Sequence, residues 1–145
     1  MDVVIDDHLL LRVLLGDEPP ALRPHGGRLV TTGFWYHRLS RALAVPAVIG
    51  SMSRSLGHVS ADVAAAALRA VTSLPETVGL VSLRELAWPI GLLLGGGARL
   101  NLLSLEALAV AELLDAELCL ATSGDDLPLR REAEARGRAV RLVEA

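Results

Sequence analysis

The stretch that decides the fold is Val3-Val4-Ile5-Asp6-Asp7-His8, a β-branched run that ends abruptly in two carboxylates. A second run, Glu117-Leu118-Cys119-Leu120-Ala121, continues through Thr122-Ser123-Gly124 into Asp125-Asp126 in the same way. Near-continuous apolar strands are typical of a parallel sheet that is covered on both faces. Carboxylates at the carboxyl ends of such strands lie where an open α/β sheet binds ligands or metals. The sequence therefore predicts an α/β fold with an acidic crevice.

The remaining elements follow from apolar periodicity, helix-capping residues and turn formers. Alternating strands and helices predict a three-layer α/β/α sandwich with a mainly parallel sheet of four or five strands. We expect the strand at 3–5 to lie centrally, between the strands at 28–30 and 118–121. The other predicted strands are 77–81 and 139–143, and the predicted helices are 8–15, 33–43, 61–73, 83–94, 105–114 and 127–136.

Three local features bear on the helix boundaries. Pro46 and Gly50 are expected to end the second helix, and Ser104 is expected to cap the helix at 105–114. Pro89 lies inside the helix at 83–94, where it removes a backbone donor and predicts a kink or a break. Trp88 beside it is expected to belong to the core.

Composition predicts one globular domain spanning residues 1–145. The chain is 52% hydrophobic, which is enough for one core. No apolar stretch approaches the roughly 20 residues that span a bilayer, so no membrane partner is expected. The lone cysteine, Cys119, is expected to be buried; it cannot form an internal disulfide and indicates a reducing compartment, for which the cytoplasm is the default.

Charge is distributed unevenly although the net charge is only −3. The segment 19–61 has no Asp or Glu, but it contains Arg23, Arg28, Arg38, Arg41 and Arg54 with three histidines. A basic segment beside an acidic crevice suits a phosphate-bearing ligand such as RNA. The alternatives are a solvated arginine face, pairing with the acid-rich second half, or pairing with a second copy of the chain.

With these elements placed, three motifs resemble the PIN-domain family, a three-layer α/β/α fold whose active members are metal-dependent ribonucleases. The first strand with Asp6 looks like the strand that carries the family's leading aspartate. Residues 103–111, Leu-Ser-Leu-Glu-Ala-Leu-Ala-Val-Ala, look like the helix that opens with its third acid, here Glu106. Residues 120–127 look like the strand that ends in Thr-x-Asp, with Gly124 in place of the aspartate and Asp125 one position late.

The resemblance implies that Mg²⁺ or Mn²⁺ would be held by Asp6, Glu106, Asp125 and Asp126, with the first three catalytic in an active enzyme. The family usually places a glutamate on the helix after the second strand. No acid occurs there in this chain, and Tyr36 or His37 falls near the expected position. The domain therefore looks like a degenerate member of the family.

Residues on that second helix are the candidate substrate contacts: His37, Arg38, Arg41 and Tyr36. His37 suits a softer divalent ion or, with Arg38, a phosphate. Arg38 and Arg41 are three apart on one helix and share a face, so they are expected to bracket a phosphate.

Each acid also has a structural interpretation. Asp6 is suited to capping the helix that begins near His8, and Asp125 or Asp126 to capping the helix from Leu127. Glu106 would interact with the dipole of its own helix if it lies in the first turn. Asp7 is expected to face away from Asp6 and to cap or be solvated.

Two functional classes remain open at this point. The first is a degenerate PIN-like domain that binds RNA or a protein, with weak or lost metal-dependent nuclease activity. The second is an active Mg/Mn-dependent endoribonuclease of the toxin type, acting through Asp6, Glu106 and Asp125. RNA, an antitoxin-like protein and a second copy of the chain are the candidate partners.

Overall fold

A parallel five-stranded sheet organises the part of the chain that the structure, a computed structural model, describes: residues 1–45 and 57–145. Its strands are β1 (Val3–Ile5), β2 (Leu29–Thr31), β3 (Val78–Leu80), β4 (Glu117–Ala121) and β5 (Val140–Val143), in the spatial order β3-β2-β1-β4-β5. Val3 is opposite both Leu29 and Glu117, so β1 lies centrally between β2 and β4. The expected sheet and its central strand are confirmed.

Six helices cover this sheet within the described residues. They are α1 (Asp7–Leu14), α2 (Gly33–Ala44), α3 (Ala61–Thr72), α4 (Leu83–Gly95), α5 (Leu102–Leu114) and α6 (Leu127–Ala135), with a 3₁₀ turn at Thr122–Gly124. None of the helices described is long and apolar enough to cross a membrane.

Side-chain alternation along the strands divides the interior into two cores. Val3 and Ile5 pack on one face with buried residues of α1 and α2, while Val4 packs on the other with residues of α4, α5 and α6. Both faces of β1 are therefore covered, which explains why an uninterrupted Val-Val-Ile run forms the central strand. A fully buried aliphatic side chain such as Ile5 contributes about 1.5–3 kcal/mol by leaving water. The result is the predicted three-layer α/β/α sandwich.

The expected cap of the helix at 105–114 is wrong. Asn101, not Ser104, caps α5, because its side-chain oxygen accepts the backbone N–H of Ser104 at 2.8 Å. The helix thus begins three residues before the expected start, at Leu102. Of the kink or break expected at Pro89, the break does not occur, because α4 is continuous from Leu83 to Gly95.

The expectation that Trp88 belongs to the core is also wrong. Its side chain is 75% exposed, so it is not part of the core. The helix α2 ends at Ala44, while Pro46, Gly50 and Arg54 lie outside the described residues.

The chain path places a crevice at the carboxyl edge of the sheet. From β1 the chain proceeds outward through β2 to β3, and then returns through α4 and α5 to β4 on the opposite side of β1. The point where strand order reverses lies between β1 and β4, which is where open α/β sheets form their ligand crevices. Asp6 follows β1 at this point.

Candidate functional site at the carboxyl edge of the sheet

Asp6 bridges the switch point between β1 and β4. One carboxylate oxygen accepts the backbone N–H of Leu9 at 2.9 Å and caps α1, and the other accepts that of Ala121 at 2.8 Å. The capping role considered for Asp6 is therefore confirmed, and the same side chain also ties the end of β4 to β1. Burial raises the pKa of Asp6 to about 6, against the opposing effect of the two backbone N–H donors.

Asp7 is fully buried and ion-paired, so the expectation that it would be solvated is wrong. Arg38 of α2 donates to both carboxylate oxygens, through Nε to Oδ2 and through Nη2 to Oδ1 at 2.8 Å. Hydrogen bonding to Asp7 raises the pKa of Arg38. This bidentate pair fixes α2 against the start of α1 and occupies the guanidinium that was expected to meet a phosphate.

Glu106 belongs to α5, but its carboxylate serves another helix. Oε1 accepts the backbone N–H of Phe34 at 2.8 Å. Phe34 lies in the first turn of α2, whose N-cap residue is Thr32. Because α5 starts at Leu102, Glu106 lies in the second turn of its own helix, and the expected dipole role there is wrong. A carboxylate at the amino end of α2 is favourable for the same electrostatic reason.

The second oxygen of Glu106 has a different status. Glu106 is fully buried, and Oε2 has no hydrogen-bond partner within the described structure. Gly33 leaves the space beside this oxygen, since a Cβ there would lie 3.2 Å from Oε2. Buried polar atoms are nearly always partnered in proteins, so an unpartnered carboxylate oxygen indicates a place for an added donor.

A pocket of about 350 Å³ adjoins Glu106. We call it the Glu106 pocket; it is lined by Gly33, Phe34, His37, Leu83 and Glu106. His37 and Glu106, both candidate site residues in the sequence, line this same pocket. Phe34 and Leu83 were missed, since an aromatic and a leucine at helix starts give no sign in sequence that they form a pocket wall.

The two acids after β4 have separate tasks. Asp126 caps α6 by accepting the backbone N–H of Leu129 at 3.0 Å, and Ser104 donates a hydrogen bond to its other oxygen. The capping role considered for Asp126 is confirmed. Asp125 is exposed and pairs with Arg130 at 3.0 Å.

Gly124 is where the sequence resemblance placed a family aspartate. A Cβ at this position would lie 3.0 Å from Asp6 Oδ2 and 3.0 Å from His8 Cδ2. The absence of a side chain at 124 therefore lets the Thr122–Gly124 turn close over Asp6. Position 124 therefore faces the carboxylate of Asp6.

The remaining candidate contacts on α2 lie apart. The Tyr36 hydroxyl donates to the backbone carbonyl of Val71 on α3, so Tyr36 joins two helices on the other side of the sheet. His37 and Arg41 are exposed. The structure thus brings His37 to the Glu106 pocket and directs Tyr36 toward α3.

Most described arginines of the acid-free segment are paired with nearby acids. Arg23 contacts Glu18 at 2.7 Å, and Arg28 contacts Asp2 at 2.9 Å. Together with Arg38 and Asp7, these pairs use acids from the first eighteen residues, and not the acid-rich second half considered earlier. The positive charge that the sequence suggested for a polyanion is largely balanced within the fold.

Cys119 in β4 is buried, as expected. Burial raises the pKa of its thiol to about 12, which keeps the group protonated and unreactive near neutral pH.

Comparison with known proteins adds no assignment. No protein-family model matches the sequence, and no curated protein matches it significantly.

Proposed function

We propose that the chain is a degenerate PIN-like domain that acts by binding a partner, with its metal-dependent nuclease chemistry weakened or lost. The observation that carries this proposal is the engagement of Asp6, whose two oxygens each accept a backbone N–H of the domain itself. The leading acid of the resemblance thereby has a full structural role, in capping α1 and in joining β1 to β4. A metal ligand would have to share those oxygens with the fold.

The other acids do not complete a cation site as they are arranged. Asp126 is engaged by Leu129 and Ser104, Asp125 is exposed and pairs with Arg130, and among these described acids Glu106 alone has a buried oxygen without a partner. Among residues 1–45 and 57–145, no group of three or more His, Cys, Asp and Glu side chains is placed to hold an ion. Mg²⁺ needs near-octahedral oxygen ligands at close range, so this donor set does not fit it.

A protein is the partner that the described surface favours over RNA. The outward face of α4 carries Trp88, 75% exposed, and Leu92, 59% exposed, one helical turn apart. Residues 86–98 contain no charged side chain. An exposed aromatic-aliphatic pair beside an uncharged stretch is typical of protein interaction surfaces, whereas RNA binding requires unpaired positive charge and most described arginines of the segment 19–61 are ion-paired.

Nuclease activity and RNA binding can be tested in one series. Single-stranded RNA is incubated with the full chain and Mg²⁺ or Mn²⁺, and cleavage is compared with that of Asp6→Asn. We expect no difference. Anisotropy of labelled RNA should show no binding at low salt. Cleavage that disappears in Asp6→Asn, or binding that Arg41→Ala weakens, would overturn the proposal.

The protein-binding part has its own experiment. Trp88→Ser/Leu92→Ser should abolish self-association or partner association measured by light scattering, while Leu142→Ser, an exposed leucine on β5, should leave it unchanged. If both variants associated to the same extent, the exposed face of α4 would no longer support the protein-binding proposal.

A second candidate is the active toxin-type endoribonuclease that uses Asp6, Glu106 and Asp125. The unpartnered Oε2 of Glu106 is the observation in its favour, since an unused carboxylate oxygen is available to a cation. The same cleavage series tests this candidate. Loss of RNA cleavage in Glu106→Gln and also in Asp6→Asn would support it.

A further inference from the structure

We propose that the Glu106 pocket binds a small organic cation, namely an amine or amidine nitrogen carried on a flat apolar body. The inference begins from the geometry of one carboxylate. Phe34 N–H holds Oε1 at 2.8 Å and so fixes the group, while Oε2 is buried without a partner. A ligand N–H placed against Oε2 would complete the hydrogen bonding of a buried acceptor, which otherwise bears the cost of desolvation.

The pocket walls define the body of the ligand. Phe34 and Leu83 supply apolar surface, and Gly33 contributes no side chain next to Oε2. A volume of about 350 Å³ lies at the lower end of the range for small-molecule pockets, so one ring with a short substituent fills it. His37 lies on α2 at the exposed side of the same pocket.

A cationic nitrogen suits the pocket better than a neutral donor. Hydrogen bonds from charged nitrogen to carboxylate are about twice as strong as neutral ones. The aromatic ring of Phe34 in the pocket lining would add a cation–π attraction to such a ligand. Arg38 on α2 is already committed to Asp7 and does not fill this role.

The inference rests on the proposed function in one respect, since it treats Glu106 as a binding carboxylate and not as a metal ligand. It goes beyond that function by naming the class of ligand. A single unpartnered oxygen between apolar walls suits one N–H donor, whereas a hard divalent cation requires several oxygens.

The test titrates benzamidine into the full chain by calorimetry, with benzyl alcohol and benzoate as size-matched neutral and anionic probes. We expect benzamidine to bind at least about tenfold more tightly than either, a difference of about 1.4 kcal/mol. If benzoate bound as tightly as benzamidine, the proposal would be overturned, because the unpartnered oxygen would then play no part.

Two variants locate the binding. Glu106→Gln keeps an oxygen for Phe34 N–H but turns an amide N–H₂ toward the pocket, so benzamidine affinity should fall at least about tenfold. Gly33→Ala keeps Glu106 and narrows the approach to Oε2, so it should lower affinity in the same direction. Gly91→Ala on α4, where an added Cβ meets nothing within 4 Å, is the matched control and should bind as the parent does. Unchanged affinity in Gly33→Ala and Glu106→Gln would place the ligand elsewhere and refute the site.

The two proposals fail separately. Should benzamidine bind and Mg²⁺ displace it while RNA is cleaved, the proposed function fails and the pocket assignment stands. Should benzamidine not bind while RNA remains intact, the pocket assignment fails and the proposed function stands.

Discussion

The end of β1 and the Glu106 pocket both bury carboxylates, but they satisfy them differently. At the end of β1, both oxygens of Asp6 accept backbone N–H groups, and both oxygens of Asp7 accept Arg38. In the pocket, Glu106 has one partnered and one unpartnered oxygen. Burial alone therefore does not separate a structural acid from a ligand-binding one. The number of oxygens that the fold itself satisfies makes that distinction.

The largest expected effect concerns the protonation of Asp6. Its folded-state pKa of about 6 lies above the unfolded value of 3.8, so its stabilising contribution is complete below about pH 4 and is lost as the pH rises through 6. Relative to Asp6→Asn, the parent should lose about 3 kcal/mol between those limits, since one pKa unit corresponds to about 1.4 kcal/mol.

Urea unfolding of parent and Asp6→Asn across this pH range measures that difference. The Asn variant cannot ionise at this position. Subtracting its free energy of unfolding from that of the parent at each pH therefore cancels the contribution of the other acids. A difference that stays constant with pH would show that burial does not perturb Asp6, and the two carboxylate regions would then be less distinct.

The second prediction removes the partner of Asp7. Arg38→Ala leaves a fully buried carboxylate without its bidentate donor, which in a closed interior costs about 3–5 kcal/mol. The Arg38 side chain is 45% exposed, so water can replace part of the interaction. We therefore expect a loss of about 2 kcal/mol in the free energy of unfolding.

Arg41→Ala is the matched control for this measurement, because Arg41 is an exposed arginine three residues further along the same helix. It should change stability by less than about 0.5 kcal/mol. If both variants lost the same free energy of unfolding, the loss in Arg38→Ala would be due to helix propensity and not to the ion pair with Asp7.

Local sequence signals were sufficient for most of the fold. The Val-Val-Ile run predicted β1 at its observed bounds, and the helices predicted to begin at residues 33, 61 and 83 do begin there, because these signals depend on neighbours within a few residues. The start of α5 was misplaced since Asn101 and Ser104 are both good caps three residues apart. Choosing between them requires knowing that Ser104 is buried against Asp126.

The site was less predictable because its defining contacts join distant parts of the chain. Glu106 caps a helix that begins 73 positions before it, and Asp7 pairs with an arginine 31 positions away. Asp6 and Glu106 were singled out by resemblance. Nothing in the sequence distinguished the acid whose oxygens are both used from the one that keeps an oxygen unpartnered.

The third prediction introduces an aspartate at 124, the position where the motif resemblance expects one. In Gly124→Asp the new Cβ would press on Asp6 and His8 at 3.0 Å, and the new charge would face the Asp6 carboxylate. We expect a loss of about 1–2 kcal/mol without metal, from crowding and like-charge repulsion. Mg²⁺ should recover part of this loss by binding between the two acids.

Ser123→Asp is the control, since it adds the same charge at an exposed neighbouring position. Thermal melts with and without Mg²⁺ measure both variants. A Mg²⁺-dependent rise confined to Gly124→Asp would support descent from a metal site, and no Mg²⁺ effect in either variant would contradict that interpretation of the crevice.

The smallest expected effect tests how firmly Glu106 is held. Gly33 is the first residue of α2 and has an ordinary backbone conformation, so Gly33→Ala brings no backbone strain, but its Cβ would lie 3.2 Å from Oε2. In Gly91→Ala, within α4, the added methyl meets nothing within 4 Å and should stabilise the domain by about 0.5–1 kcal/mol through helix propensity. Gly33→Ala should stay within about 0.5 kcal/mol of the parent, because crowding of Oε2 offsets a smaller gain at the helix start.

Urea unfolding of both variants under identical conditions gives the comparison. If Gly33→Ala is as stabilising as Gly91→Ala, the carboxylate moves aside at no cost, and Phe34 N–H does not hold it in place. Glu106 would then be an adaptable side chain in a roomy pocket, and the contrast with the fully engaged Asp6 and Asp7 would reduce to a difference in available space. If Gly33→Ala is less stabilising, Oε2 is held in place beside Gly33 by the hydrogen bond from Phe34 N–H to the same carboxylate.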